Sequence, residues 1–263
     1  GGISALSYAN RLKGFINGLF VMSVSNIMYP MISTMASEKN MRGLKETLHE
    51  AIGMISLVVV PATIGAILFA EPIVAFLFGR GAFTREAVAL TGSALRYYSI
   101  GMLGFGLREV LSRAFFALQD TRTPMINGMI AVGINIVLNV ILSRYLGIGG
   151  LALATSIAGI VATGLLVVAL RKKIGVFGLR KVATSLGKIV VSCVVMGVIT
   201  LPTYRYLSDA LASSLALVLT IGVGVFSYFV SAYFLAVPEV RRTIEAVRRW
   251  FSARKSKDGL AGD

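Results

Sequence analysis

One cysteine, one histidine and one tryptophan stand among 263 residues. The lone Cys193 lies inside an apolar run, which excludes an internal disulfide and any cysteine-built metal site within one chain. With His49 as the sole imidazole, zinc hydrolases, histidine-dependent acyltransferases and haem carriers are all disfavoured. Charge is scarce too: 14% of residues are Asp, Glu, Lys or Arg, where a soluble domain carries about a quarter. Acids are the scarcer half, 12 against 26 bases, and no nucleophile–base constellation is visible for an intramembrane enzyme. A signal peptide is not visible either. The chain opens Gly1-Gly2, as a fragment or processed piece beginning at the edge of a span would.

What the chain has is apolar length: 56% hydrophobic residues and a mean hydropathy of +0.80. About 20 apolar residues cross a bilayer core, and seven stretches are long enough: 4–35, 48–70, 87–117, 125–146, 149–170, 184–204 and 213–236. The expectation is an all-α integral membrane protein of seven transmembrane helices, followed by a cytoplasmic amphipathic tail helix. Basic residues then orient it. Loops 36–50, 118–124 and 171–188 and the tail share one side and hold 17 Lys and Arg, whereas the opposite loops hold 4 (Arg80, Arg85, Arg144, Arg205). That asymmetry places the carboxy terminus in the cytoplasm and residue 1 outside. It also accounts for most of the +14 net charge, so no nucleic-acid partner is needed.

The remaining five cations, Arg11, Lys13, Arg96, Arg108 and Arg113, fall within spans. Ser4, Ser7, Arg11, Gly14 and Gly18 share one helical stripe, small and polar with a single charge. An arginine at membrane depth costs roughly 2.5–3.5 kcal/mol, so it either faces a watery cavity walled by the other segments and awaits an anion, or snorkels to the headgroups. Glu109 and Arg113, at i and i+4, are spaced to pair, which leaves Arg108 as the better cavity candidate. Residues 71–83 read as a short interfacial helix and a glycine turn, after which Thr84 caps the next helix. Leu118–Pro124 reads as a tight hairpin with Thr123 at the N-cap and Asp120 tied to Arg122 or Arg113. Asn135, Asn139 and Thr155 could converge as oxygen ligands for a sodium ion, or simply hydrogen-bond between helices. In the last two spans, Gly197, Gly222 and Gly224 read as close-packing positions. Beyond Pro238, Val240, Ile244, Val247 and Phe251 oppose Arg241, Arg242, Arg248 and Arg249, the pattern of a helix lying on acidic lipids.

Three motifs occur in order: Leu6-Ser7-Tyr8-Ala9-Asn10-Arg11-Leu12, Leu77-Phe78-Gly79-Arg80-Gly81-Ala82-Phe83-Thr84, and Arg113 through Pro124. Together they resemble the MurJ (MviN) family of lipid II flippases, within the multidrug/oligosaccharidyl-lipid/polysaccharide exporter superfamily. The resemblance implies about half of a two-lobed fourteen-helix flippase fold. Residues 1–182 would be the carboxy-terminal lobe, 183–237 two groove-forming spans and 238–263 the basic tail. It implies a bacterial cytoplasmic membrane location and, as partners, an amino-terminal lobe and an undecaprenyl-pyrophosphate-linked peptidoglycan precursor. Arg11 would be a cavity arginine needed for activity, with Ser4, Ser7, Asn10 and Arg108 as further substrate contacts. Asn10 stands where some members have aspartate, and Asn139 where an acid is expected in a cation site. No cofactor is implied; coupling would come from sodium or the membrane potential. The rival readings are a multidrug or O-antigen lipid exporter and a non-transporting scaffold for cell-wall enzymes.

Overall fold

A computed structural model describes residues 2–81 and 83–241. Every regular element among them is helical. The expected tail helix, with Arg242, Ile244, Val247, Arg248, Arg249 and Phe251, lies outside the described residues.

The first span is longer than expected and not uniform. Helix α1 (Gly2–Ile16) passes through a π turn (Asn17–Val21) into α2 (Met22–Ser37). At 100° per residue, the buried Ala5 and Ala9 of α1 would lie roughly 140° from the buried Met28 and Ile32 of α2. The wider π turn takes up much of that difference and lets both halves bury a face in one core.

Helix α3 (Met41–Leu68) starts seven residues earlier than the hydropathy suggested, because Asn40 caps it by accepting from Gly43 N at 2.9 Å. The short interfacial helix is present as α4 (Ala70–Phe78), and Thr84 Oγ1 accepts from Ala87 N at 3.3 Å to start α5 (Arg85–Ile100).

The expected single span 87–117 is bent. Helix α5 ends at Gly101 and α6 (Met102–Ala117) begins there. Sixteen residues rise only about 24 Å, short of the roughly 30 Å hydrocarbon core, so neither helix is long enough to cross alone. The cause of the bend is a neighbour's close approach: a Cβ on Gly101 would fall 2.7 Å from Ser156 Cα. Hydroxyls of that neighbour bond carbonyls at and beside the bend. Ser156 Oγ donates to Tyr97 O (2.7 Å) and Tyr98 O (3.2 Å), and Thr163 Oγ1 to Gly104 O (2.7 Å).

Helix α7 (Arg122–Ile174) is two antiparallel spans joined at Gly147, whose φ of 54° and ψ of −128° suit only glycine. Lys173 Nζ donates to Asp120 Oδ2 at 2.6 Å, which a straight helix of this length would forbid. The hairpin cap expected of Thr123 falls to Asp120, whose two oxygens accept from Thr123 N (3.0 Å) and Thr123 Oγ1 (2.9 Å). Asp120 is tied to Lys173 rather than to Arg122 or Arg113. The expected basic loop 171–188 shrinks to a turn at 175–178, since α8 (Leu179–Ala210) already carries Lys181 and Lys188. Helix α9 (Ser213–Phe234) returns beside α8. Gly224 is a close-packing position, with Thr200 Cγ2 3.0 Å from a built Cβ, whereas Gly222 faces open space.

Two apolar cores result. One binds α1 to α7. The other joins α3 and α8 to Tyr228, Ala232, Val237 and Val240.

Candidate functional site

The polar stripe of α1 is real, but it looks outward. Ser4, Ser7, Asn10, Arg11 and Gly14 are exposed, whereas Ala5 and Ala9 on the opposite face are buried against the lobe. The described helices therefore do not wall a cavity around Arg11, as first expected. They form its back, because the apolar Ala5, Ala9, Leu12 and Ile16 claim the core-facing stripe. Arg11 makes no ion pair or hydrogen bond among the described residues.

Lys13, two residues on, behaves differently. Its ammonium sits 4.7 Å from the Tyr98 ring centroid and 4.5 Å from that of Phe105, half-buried at the α5–α6 bend. Two aromatic faces offset the desolvation of a charge that has no carboxylate beside it. Sequence inspection passed over this residue; the signal would have been an inward helical position shared with Ala9, facing an aromatic pair.

The other intramembrane cations divide clearly. Arg113 Nε donates to Glu109 at 2.9 Å, as the spacing predicts, Nη1 reaches Asn26 Oδ1 at 3.1 Å, and the guanidinium lies 5.6 Å from the Tyr29 ring centroid. Arg96 pairs with Glu71 at 3.0 Å. Arg108 is half-buried and unpaired among the described residues, its Nη2 3.3 Å from where a Gly128 Cβ would lie. Lys13 meets Phe105 and Asn26 meets Arg113, so α1–α2 runs beside α6 in the same direction. Arg108 then lies about 12 Å deeper than Arg11.

Asn135, Asn139 and Thr155 do come together. Asn139 Nδ2 donates to Asn135 Oδ1 (3.0 Å), Asn135 Nδ2 to Thr155 Oγ1 (3.3 Å), and Thr155 Oγ1 to Leu151 O (2.9 Å). This is a donor–acceptor ladder. Two of its three oxygens are engaged, and only Asn139 Oδ1 is left as a buried acceptor without a partner. A sodium ion needs several free oxygens and is helped by negative charge, so the set as arranged does not fit one. No group of three or more His, Cys, Asp or Glu suited to a metal occurs among the described residues.

On the far side of the lobe, α9 borders two wholly or almost wholly apolar hollows. One, of about 440 Å³, is lined by Leu57, Phe226, Phe229, Val230, Tyr233, Phe234 and Val240; the other, of about 550 Å³, lies between α9 and α8.

Among the described residues, five helices long and apolar enough to cross a bilayer, packed together and carrying an open charged face, define a multi-pass membrane protein. A family model described as "Lipid II flippase MurJ" matches residues 1–229, and the chain belongs to that family. It is 35% identical to the "Probable lipid II flippase MurJ" of Vibrio cholerae over 90% of this chain and 46% of that protein. The "Lipid II flippase MurJ" of Thermosipho africanus is 33% identical over 59% of this chain and 32% of its own length. A solved structure titled "Lipid II flippase MurJ, inward closed conformation" aligns with a TM-score of 0.75 at 28% identity, covering 89% of this chain and 47% of that one. The chain thus spans about half the length of the Vibrio relative and of the solved structure.

Proposed function

We propose that this chain is the carboxy-terminal lobe and groove helices of a flippase that moves lipid II, an undecaprenyl-pyrophosphate-linked peptidoglycan precursor, from the inner to the outer leaflet. The observation carrying the reading is Arg11, unpaired on the open polar face of α1 while Arg96 and Arg113 at membrane depth hold acids. A planar guanidinium fork matches phosphate oxygens. An amino-terminal lobe would close over this face, and rocking of the two lobes would alternately expose it to either side. Ser4, Ser7 and Asn10 would contact the head group beside Arg11, and Arg108, deeper along the path, would meet the pyrophosphate nearer the cytoplasm. The apolar hollows at α9 would keep the isoprenoid tail in lipid. No bond is made or broken in this process, so no residue is assigned a catalytic role.

The protein would lie in the bacterial cytoplasmic membrane with its basic tail on acidic lipids. A cysteine replacing exposed Val176 should then resist impermeant thiol reagents in intact cells, and one replacing Arg80 should react. The neutral ladder at Asn135, Asn139 and Thr155 favours the membrane potential over sodium as the driving force. An inside-negative potential pushes a pyrophosphate outward, worth about 2.3 kcal/mol per charge per 100 mV.

The decisive experiment is complementation of a flippase-depleted bacterium by the full-length protein. Arg11→Ala should fail to support growth at normal abundance, and Arg11→Lys should support it partly, since a point charge lacks the fork. Full growth with Arg11→Ala would refute a substrate role for this face. It would leave the scaffold reading, in which Arg11 is dispensable.

A further inference from the structure

We propose that Glu239 is a positioning residue for the isoprenoid end of the substrate: it pins the segment 236–241 into the junction of α3 and α8, so that Val240 lines the apolar hollow beside α9. The inference rests on the flippase reading above.

Among the described residues Glu239 is the one charged side chain that is buried, 8% exposed. It lies just past the turn that ends α9, where Ala236 takes a positive φ of 51°. Two helices, α8 and α3, hold it and its turn in place. Ser185 Oγ on α8 donates to Glu239 Oε2 at 2.5 Å, a short charge-assisted bond. One turn along α8, Lys188 Nζ donates to Ala236 O at 3.1 Å, so α8 grips both ends of the turn. On α3, Gly53 supplies the room: a Cβ there would lie 2.5 Å from Glu239 Oε1 and 2.9 Å from its Cγ.

A buried carboxylate is a poor choice for stability alone, since a well-packed apolar side chain of similar volume fills such a junction at no desolvation cost. A carboxylate is directional where an apolar side chain is not. Its bond to Ser185 fixes the rotation of the segment, which seats Val237 (0% exposed) and Val240 (4%) against Leu57, Val60 and Ile189. Val240 and Leu57 both line the hollow whose other walls are Phe226, Phe229, Val230, Tyr233 and Phe234. Nearby, Tyr228 Oη donates to Leu57 O at 2.7 Å and holds α9 against α3. This wall of the hollow therefore depends on the seat of Glu239. An isoprenoid chain long enough to reach from the Arg11 face to this hollow meets that wall, and a geranyl chain does not.

The test uses the full-length protein in proteoliposomes with two substrates sharing one head group, one on an undecaprenyl chain and one on a geranyl chain. Glu239→Ala should raise the half-saturating concentration of the undecaprenyl substrate roughly tenfold, the scale of one lost charge-assisted hydrogen bond, and leave the geranyl substrate unchanged. Glu239→Gln, which still accepts from Ser185, should restore most of the difference. Ser185→Ala should act in the same direction as Glu239→Ala and keeps the question open to measurement if the latter does not accumulate. Equal effects on both substrates, no effect on the long one, or a Gln variant as impaired as Ala would overturn the proposal. A wild-type protein that moves neither substrate would instead overturn the flippase reading.

Discussion

The α1–α7 region and the α8–α9 pair differ in how many of their polar side chains reach another helix. In α1–α7, Ser56 and Ser99 back-bond to their own helices, but several other side chains reach across: Ser156 and Thr163 to the carbonyls of Tyr97 and Gly104, Asn135 to Thr155, Arg113 to Asn26. In α8 and α9 most hydroxyls fold back onto their own helix. Ser192, Thr200, Thr203, Thr220 and Ser227 each donate to a carbonyl three or four residues earlier. Lipid offers no water to satisfy a polar group, so both arrangements solve the same problem. Only the first fixes one helix against another. A lobe that must present Arg11 at a set depth uses directional bonds; a pair that borders apolar hollows needs little beyond packing and a few ties such as Tyr228–Leu57 and Ser185–Glu239.

The contrast can be broken most severely at Arg11, where alanine should abolish complementation without lowering protein level. A Gly159→Ala change should come next. Its Cβ would strike the Phe105 ring, which also faces Lys13, and overpacking of this kind costs about 1–3 kcal/mol. Gly222→Ala, facing open space, should leave thermal unfolding of the purified protein unchanged.

Removing one hydroxyl sharpens the comparison further. Thr163→Ala removes a bond between helices, to Gly104 O, as well as a back-bond to Gly159 O, and should destabilise by about 0.6–2 kcal/mol, whereas Thr220→Ala removes only a local back-bond and should cost close to nothing. Equal losses from the two would erase the distinction drawn between the regions. A third comparison concerns sodium. Asn139→Asp puts the missing charge on the one unsatisfied acceptor of the set, so sodium should stabilise that variant and not the parent in melting experiments.

The smallest expected effect lies in the turn at 118–121. Hydrogen bonds from Lys173 and then Thr123 hold the Asp120 carboxyl down to about 2 from its ordinary 3.8. Because the folded value is depressed, this tie contributes fully above pH 3.8 and is lost as pH falls towards 2. Lys173 is 38% exposed, so screening keeps the contribution below about 1 kcal/mol. Asp120→Asn should lower stability slightly at neutral pH and flatten its dependence over that acid window. An unchanged acid limb would show the tie to be energetically silent.

The sequence by itself determined where several helices start and turn, because cap and turn chemistry are local properties: Thr84 caps α5 and Gly147 breaks α7 where their residue types require it. It also determined that Glu109 and Arg113 pair, since i,i+4 spacing is geometry internal to one helix. Only the tertiary structure decided which way each intramembrane charge faces. Arg11 and Lys13 lie two residues apart on one helix, yet one stands open and the other lies between the rings of α5 and α6. The bend at Gly101 was equally hidden, because its cause is Ser156 on another helix. So was the seat of Glu239, which depends on an absent side chain at Gly53, 186 positions earlier in the chain. Contacts between distant segments depend on how whole helices pack, and no local pattern encodes that.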